Sequence, residues 1–168
     1  DMLFLDVTGR NDWSSTLAFT PNGSYFYPSV GLTAVISDMV KLPTAFNQLK
    51  ARATYSVVGN EMPVYITNPL NGFANGSISF NTSMPFADMK PEKLHSMEFG
   101  IDASMFNDRF NFDITYYKTN NKNQYFSMSV PAATGYSSYY FNAGDIQNQG
   151  VELTASWTQQ FTKDFSWK

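Results

Sequence analysis

Residues 109–118, Arg-Phe-Asn-Phe-Asp-Ile-Thr-Tyr-Tyr-Lys, alternate polar and apolar side chains almost without a break. A strand has a side-chain period of two, so Phe110, Phe112, Ile114 and Tyr116 must share one face. Arg109, Asn111, Asp113, Thr115 and Tyr117 share the other. A soluble antiparallel sheet alternates in the same way, so one such run does not require a membrane. Repetition narrows the choice. Segments of roughly 10 residues with this pattern, ended by aromatics and joined by turn-rich connections, are what a transmembrane β-barrel needs, and the chain supplies about six of them.

Composition agrees with that class. Hydrophobic residues make up 43% of the chain, yet no window approaches the roughly 18 consecutive apolar residues of a spanning helix. Charged residues are only 15% and aromatics reach 17%, a combination that suits a lipid-facing surface with aromatic girdles better than a soluble one. There are no cysteines, which excludes a disulfide framework and a zinc–thiolate site. A net charge of −3 with no basic stripe argues against a nucleic-acid partner. The chain opens on Asp1-Met2-Leu3-Phe4-Leu5, already inside a strand-like run, and closes on Phe165-Ser166-Trp167-Lys168, which reads as the start of another. It is therefore expected to be an interior piece of a longer protein.

The alternation predicts six strands: to about Arg10, then roughly 25–37, 48–59, 94–105, 109–118 and 150–159. Pro28 falls inside the second and predicts a bulge or an irregular start. Residues 38–47 lose the alternation and predict a compact turn or one short helical turn. Asn107-Asp108 predicts a tight hairpin, and Phe161-Thr162-Lys163-Asp164-Phe165 a further short one. The connections at 60–91 and 119–145 are expected to be long, with 11–24 on the same side and a short strand at 77–81; within the second, Tyr125–Val130 can continue the fifth strand ahead of a loop at 131–145. Lys50, Arg52, Glu98, Asp102, Arg109, Asp113 and Glu152 all fall on the polar face. A charge on the lipid face near mid-membrane would cost about 2–4 kcal/mol.

Particular stretches resemble a known family. Thr8-Gly9-Arg10-Asn11-Asp12-Trp13, Tyr25-Phe26-Tyr27-Pro28, Leu49-Lys50-Ala51-Arg52-Ala53-Thr54-Tyr55 and Lys90-Pro91-Glu92 leading to Glu98-Phe99-Gly100 are similar to the barrel of SusC/RagA-like TonB-dependent transporters of Bacteroidota. So is Asn142-Ala143-Gly144-Asp145-Ile146-Gln147-Asn148-Gln149-Gly150-Val151-Glu152-Leu153, which resembles that family's most recognisable barrel motif. The resemblance implies an all-β fold: antiparallel strands from the C-terminal half of a 22-stranded outer-membrane barrel, an open curved sheet if taken alone. It further implies an N-terminal plug and a TonB box outside this chain, and a SusD-like surface lipoprotein over the outer mouth. Glycan or peptide fragments would be the cargo. A passive porin segment and a soluble β-sandwich binding or adhesion module are the alternatives.

No residue pattern points to catalysis, a cofactor or a metal. His95 is the only histidine, which leaves a triad or a His-based metal site nothing to build with. Glu98 and Asp102 lie about 13 Å apart along a strand, beyond the roughly 5–9.5 Å of glycosidase carboxylate pairs. The Asn/Asp/Gly clusters lack EF-hand spacing and read as turns. Tyr65 and Phe73, with Tyr136, Tyr139, Tyr140 and Phe141 in the second long loop, are candidates for contact with cargo or partner; packing among the loops is the structural reading of the same residues. Trp157, Phe161, Phe165 and Trp167 fall where a membrane-boundary girdle is expected.

Overall fold

A computed structural model describes residues 2–161 and 166–167. Its strands are β1 (Leu3–Trp13), β2 (Ser24–Val35), β3 (Phe46–Asn60), β4 (Gly72–Ala74), β5 (Ser77–Ser79), β6 (Ser83–Met84), β7 (Glu92–Met105), β8 (Phe110–Ser129), β9 (Ser138–Trp157), β10 (Gln159–Gln160) and β11 (Ser166–Trp167). A short helix, α1 (Ile36–Met39), supplies the helical turn expected between the second and third strands. Seven strands form one sheet in the order β1-β2-β3-β7-β8-β9-β6, and all its ladders are antiparallel except the two-residue one between β6 and β9. The sheet is open, as expected.

The register carries the alternation across the sheet. Leu32 lies opposite Ala53, Ala53 opposite Phe99, Phe99 opposite Tyr116 and Tyr116 opposite Val151, one continuous apolar row. The neighbouring row, Ala34, Ala51, Ile101, Ile114 and Leu153, belongs to the same face. Arg52, Gly100, Thr115 and Glu152 form a row on the opposite, polar face. Phe112, Ile114 and Tyr116 thus share the apolar face, and Asp113 and Thr115 the polar one. Arg109 sits in the turn before β8 rather than in the strand, its carbonyl accepting from the Thr158 amide at 2.7 Å.

The end of the sheet that carries α1 has compact connections. Phe106, Asn107 and Asp108 take left-handed φ of 56°, 57° and 63° to turn β7 into β8, and the Asp108 carboxylate accepts from the Ser104 hydroxyl. Trp157 packs on Phe106 and Phe110 at ring separations of 6.4 and 6.2 Å, the aromatic edge expected there. β10 and β11 pair antiparallel; residues 162–165, including Phe165, lie outside the described residues.

Two expectations are corrected at the other end. Residues 119–145 are not a long loop: β8 and β9 are 20 residues each and stay paired from Phe110↔Trp157 to Ser129↔Ser138. Only residues 130–137 connect them. The stretch 119–124 is polar on both faces, so it offers no amphipathic signal, yet the ladder hydrogen bonds of a hairpin do not need one. Nor does Pro28 bulge its strand. The β1–β2 register runs unbroken through Gly9↔Pro28, while the β2–β3 ladder stops at Ser29↔Ser56. The proline, which lacks an N–H, stands where β2 parts from β3.

The core sits at this same end. Leu17 and Met89 are 1% and 0% exposed, and with Met62, Ile66, Tyr25, Tyr27 and Val57 they form the buried cluster of the structure. Residues 61–91 supply three of its members. They contain the β4–β5 hairpin, turned by Asn75 and Gly76 with φ of 53° and 76°, and then β6 along the far edge of β9. Asn-Gly with both residues at positive φ is the two-residue hairpin turn that matches strand twist.

Candidate functional site

Two arrangements occupy the polar face: a charge cluster in its middle and a packed rim at the end bearing the long connections. The cluster centres on Arg52. Its guanidinium donates to the Asp102 carboxylate, to Asp113 at 2.8 Å and to the Thr115 hydroxyl at 2.6 Å, so a β3 side chain ties β7 to β8. Asp102 and Asp113 stand directly opposite each other, a like-charge pair that costs stability unless neutralised. Arg52 neutralises it. The planar fork, with five donors, suits that bridging role better than lysine. Gly100, opposite Arg52, leaves the path clear: a Cβ there would sit 2.5 Å from Arg52 Nε. Tyr117 lies over Gly150 in the same manner, its hydroxyl 2.8 Å from where a Cβ would stand. This cluster has the form of a structural tie, with every member already engaged by another.

The rim is built from the ends of the strands. Tyr25 and Tyr27 alternate onto the polar face of β2 and meet edge to face at 5.1 Å. Arg10 of β1 lies over the Tyr27 ring at 5.3 Å and pairs with Asp12 at 2.8 Å. Tyr125 and Tyr140, 6.5 Å apart on the paired ends of β8 and β9, pack with Phe86 against the buried cluster. Side-chain amides fasten the connections over it. Asn22 donates to the Met89 carbonyl at 2.9 Å. Asn142 donates to the carbonyls of Lys90 at 2.9 Å and Asn123 at 2.7 Å, and accepts from the Lys90 amide at 2.8 Å. Between the ends of β1 and β2 and the start of the 61–91 segment, Arg10, Asp12, Trp13, Tyr25 and Glu61 line a cleft of about 450 Å³. Aromatic faces beside paired charges can stack on and hydrogen-bond to a polar oligomer; no nucleophile–base pair stands there for chemistry.

The six residues expected to contact cargo or partner are not brought together. Tyr65 and Phe73 project from the 61–91 segment, Phe73 76% exposed. Tyr136 is at the tip of the 130–137 connection and half-buried. Tyr139, Tyr140 and Phe141 are in β9, not in a loop. Alternation therefore separates them: Tyr140 faces the rim core, while Tyr139 and Phe141 stack at 6.0 Å on the other face beside Phe86 and Phe126. His95, with its Nδ1 2.9 Å from the Tyr55 hydroxyl, lies on the apolar-face side near the rim. Tyr25, Tyr27 and Asn142 were not singled out from the sequence as site residues. The parity of Tyr25 and Tyr27 with Ser29 and Gly31 was the available signal.

Comparison with known proteins places this geometry. The chain matches the TonB dependent receptor-like β-barrel family over residues 1–168. A TonB-dependent receptor of Formosa agariphila is 29% identical over the whole chain and 18% of its own length. The TonB-dependent receptor SusC of Bacteroides thetaiotaomicron is 25% identical over 92% of the chain and 17% of its own length. Among solved structures, the RagAB peptide importer in its open-open state superposes on 98% of the chain with a TM-score of 0.85 at 24% identity, and 19% of that chain is covered. The chain thus spans about a fifth of the length of these relatives. With every residue inside the family match and the strand faces arranged as a barrel wall requires, the chain belongs to the TonB-dependent receptor-like β-barrel family, whose members are outer-membrane transporters and not enzymes.

Proposed function

We propose that the protein containing these residues imports oligomeric nutrients, glycan or peptide fragments, across the outer membrane. In this reading the 168 residues are one stretch of a 22-stranded barrel wall, from its C-terminal half, with the apolar face toward lipid and the polar face toward the lumen. Sequence outside this chain completes the sheet, supplies the plug and couples to TonB. The end carrying residues 14–23, 61–91 and 130–137 is the extracellular rim, where a SusD-like lipoprotein sits over the mouth.

One observation carries the proposal: the long connections are folded onto the ends of the strands in one core, where Leu17, Met62, Ile66 and Met89 pack with Tyr25, Tyr27 and Val57. Ordered rim loops present Tyr65, Phe73 and the cleft at Arg10, Trp13 and Tyr25 as fixed surfaces, at low entropic cost to a ligand. The similarity to SusC and to the RagAB peptide importer supports a paired lipoprotein and an oligomeric cargo. A passive porin has no use for TonB coupling, and a β-sandwich needs a second sheet over the apolar face.

The test replaces Trp13, Tyr65 and Phe73 together by alanine in the full-length protein. Cargo uptake and co-purification of the lipoprotein are then measured, with heat-modifiable gel mobility as the control for barrel assembly. A correctly assembled barrel with reduced uptake or reduced lipoprotein association is the expected result. Unchanged values of both would remove the rim from cargo capture.

A further inference from the structure

Asn-Gly occurs three times in the chain, at Asn22-Gly23, Asn71-Gly72 and Asn75-Gly76, each time in the 14–23 or 61–91 segment at the rim. Asparagine before glycine is chemically labile in water. The glycine has no side chain, so its own amide nitrogen can approach the asparagine carboxamide carbon. That approach depends on what holds the carboxamide and the turn around it, and here the three pairs differ.

Asn22 is half-buried, and its Nδ2 donates to the carbonyl of the fully buried Met89 at 2.9 Å. The Gly23 carbonyl accepts from the Ser14 amide at 3.0 Å. Asn71 is held at the neck of the β4–β5 hairpin. Its Oδ1 accepts from the Asn81 amide at 2.9 Å, and Asn81 Nδ2 donates to the Leu70 carbonyl at 3.3 Å. Asn75 is different. It is the first of the two turn residues, with φ of 53°, and its side chain makes no hydrogen bond among the described residues. Beside it Gly76, at φ of 76°, has no atom within 4 Å of where a Cβ would stand. Every residue from 71 to 80 is exposed. The three-residue strands β4 and β5 pair only with each other. A lone two-stranded hairpin is marginally stable in water, so this one opens from its tip without disturbing the rim core.

We propose that Asn75 is a site of spontaneous covalent modification, deamidation through a succinimide, and that Asn22 and Asn71 are shielded from the same reaction by their hydrogen bonds. The Gly76 amide nitrogen attacks Cγ of Asn75. The N–Cγ bond forms, the Cγ–Nδ2 bond breaks, and ammonia leaves with the proton from the Gly76 nitrogen. Water then adds to either carbonyl of the ring. Opening one way gives aspartate; opening the other gives isoaspartate, in which the backbone runs through the side-chain methylene. The sum is a carboxamide plus water going to a carboxylate plus ammonia. That carboxylate is the first charge between residues 62 and 87. Isoaspartate also adds an extra backbone atom, which the two-residue turn between Ala74 and Ser77 cannot take up in register.

Full-length protein from outer membranes is aged in mildly alkaline buffer, digested and mapped by mass spectrometry, with electron-transfer fragmentation to tell isoaspartate from aspartate. A second sample is aged unfolded in urea. In urea the three pairs should convert at similar rates, since glycine follows each asparagine. In the folded protein Asn75 should convert at least about ten-fold faster than Asn22 and Asn71, whose reaction waits on breaking rim contacts. Hydrogen exchange should quicken on ageing at residues 72–79 alone. Asn75→Gln, whose longer side chain closes the ring poorly, should abolish both changes. Equal conversion of the three pairs in the folded protein would overturn the assignment, because reactivity would then follow from sequence alone. So would an Asn75 that stays intact when folded yet converts in urea. Aspartate formed without isoaspartate would rule out the succinimide.

Discussion

Arg52 reaches Asp102, Asp113 and Thr115 on two other strands because Gly100, the residue opposite it, has no side chain in the way. A β3 side chain thereby stitches three strands and neutralises two facing carboxylates. Lumen walls are wet, so the tie is partly screened: the Arg52 side chain is 33% exposed.

Gly100→Ala should displace the guanidinium and cost about 1–2 kcal/mol, the worth of charge-assisted hydrogen bonds discounted for that exposure. Urea titration of the full-length barrel in lipid vesicles checks it. Arg52→Ala should cost a similar amount, and the double variant no more than the worse single one, because both remove the same interaction. Additive losses would show that Gly100 acts through something other than Arg52.

Leu153 and Thr154 are neighbours on β9 with opposite fates. Leu153 continues the apolar row of Ile114, and Thr154 stands opposite Asp113 on the polar face. Leu153→Arg should cost about 2–4 kcal/mol of folding stability in bilayers, the depth-dependent penalty for a cation near mid-membrane. Thr154→Arg should be nearly neutral. The reverse order would mean that the register is wrong by one residue, which exchanges every side chain between lipid and lumen.

Met89 and Leu17 test the rim core separately from the wall. Each is fully buried in the cluster that the connections form with the ends of the strands, so Met89→Ala or Leu17→Ala should cost about 2–5 kcal/mol locally. Hydrogen exchange is expected to quicken across residues 14–23 and 61–91 and to stay unchanged at 110–116, since loops and wall unfold as separate units. Loss of protection throughout would show that the rim and the wall form one cooperative unit.

The wall was legible from the sequence because one physical constraint, apolar outside and polar inside, is written into every second residue from Leu49 to Tyr55, Met97 to Met105 and Phe110 to Tyr116. That constraint lapses where both faces of a strand are hydrated. Hence Thr119–Gln124 read as loop although it is strand, and Tyr139, Tyr140 and Phe141 were grouped although the pleat parts them. The rim core was hidden for a different reason. Leu17, Met62, Ile66 and Met89 are scattered singly through irregular segments, and only tertiary closure makes them neighbours. Asn75-Gly76 has the composition of the two-residue turn it forms, and the short β4–β5 hairpin follows from it.

Asn142 is where wall and rim meet, and its side chain does what no loop residue can do alone. The amide group donates to the Lys90 and Asn123 carbonyls and accepts from the Lys90 amide, so a β9 residue fixes the segment that leads into β7. Asparagine supplies both donors and the acceptor from one planar group; aspartate would lose the donors and alanine everything. Asn142→Ala should cost about 1–3 kcal/mol, because it also leaves backbone groups near the rim core unpaired. The loss should be local. Exchange should quicken at residues 86–92, while amides of Gly150–Trp157, held by the β8–β9 ladder, keep their protection. Under the proposed function the ordered rim is the capture surface, so cargo affinity of the full-length protein should fall with the fraction of molecules whose rim is disordered. Asn142→Asp, which keeps size and the acceptor, should fall short of restoring it. Unchanged exchange at 86–92 in the alanine variant would show that the buried cluster alone orders the rim.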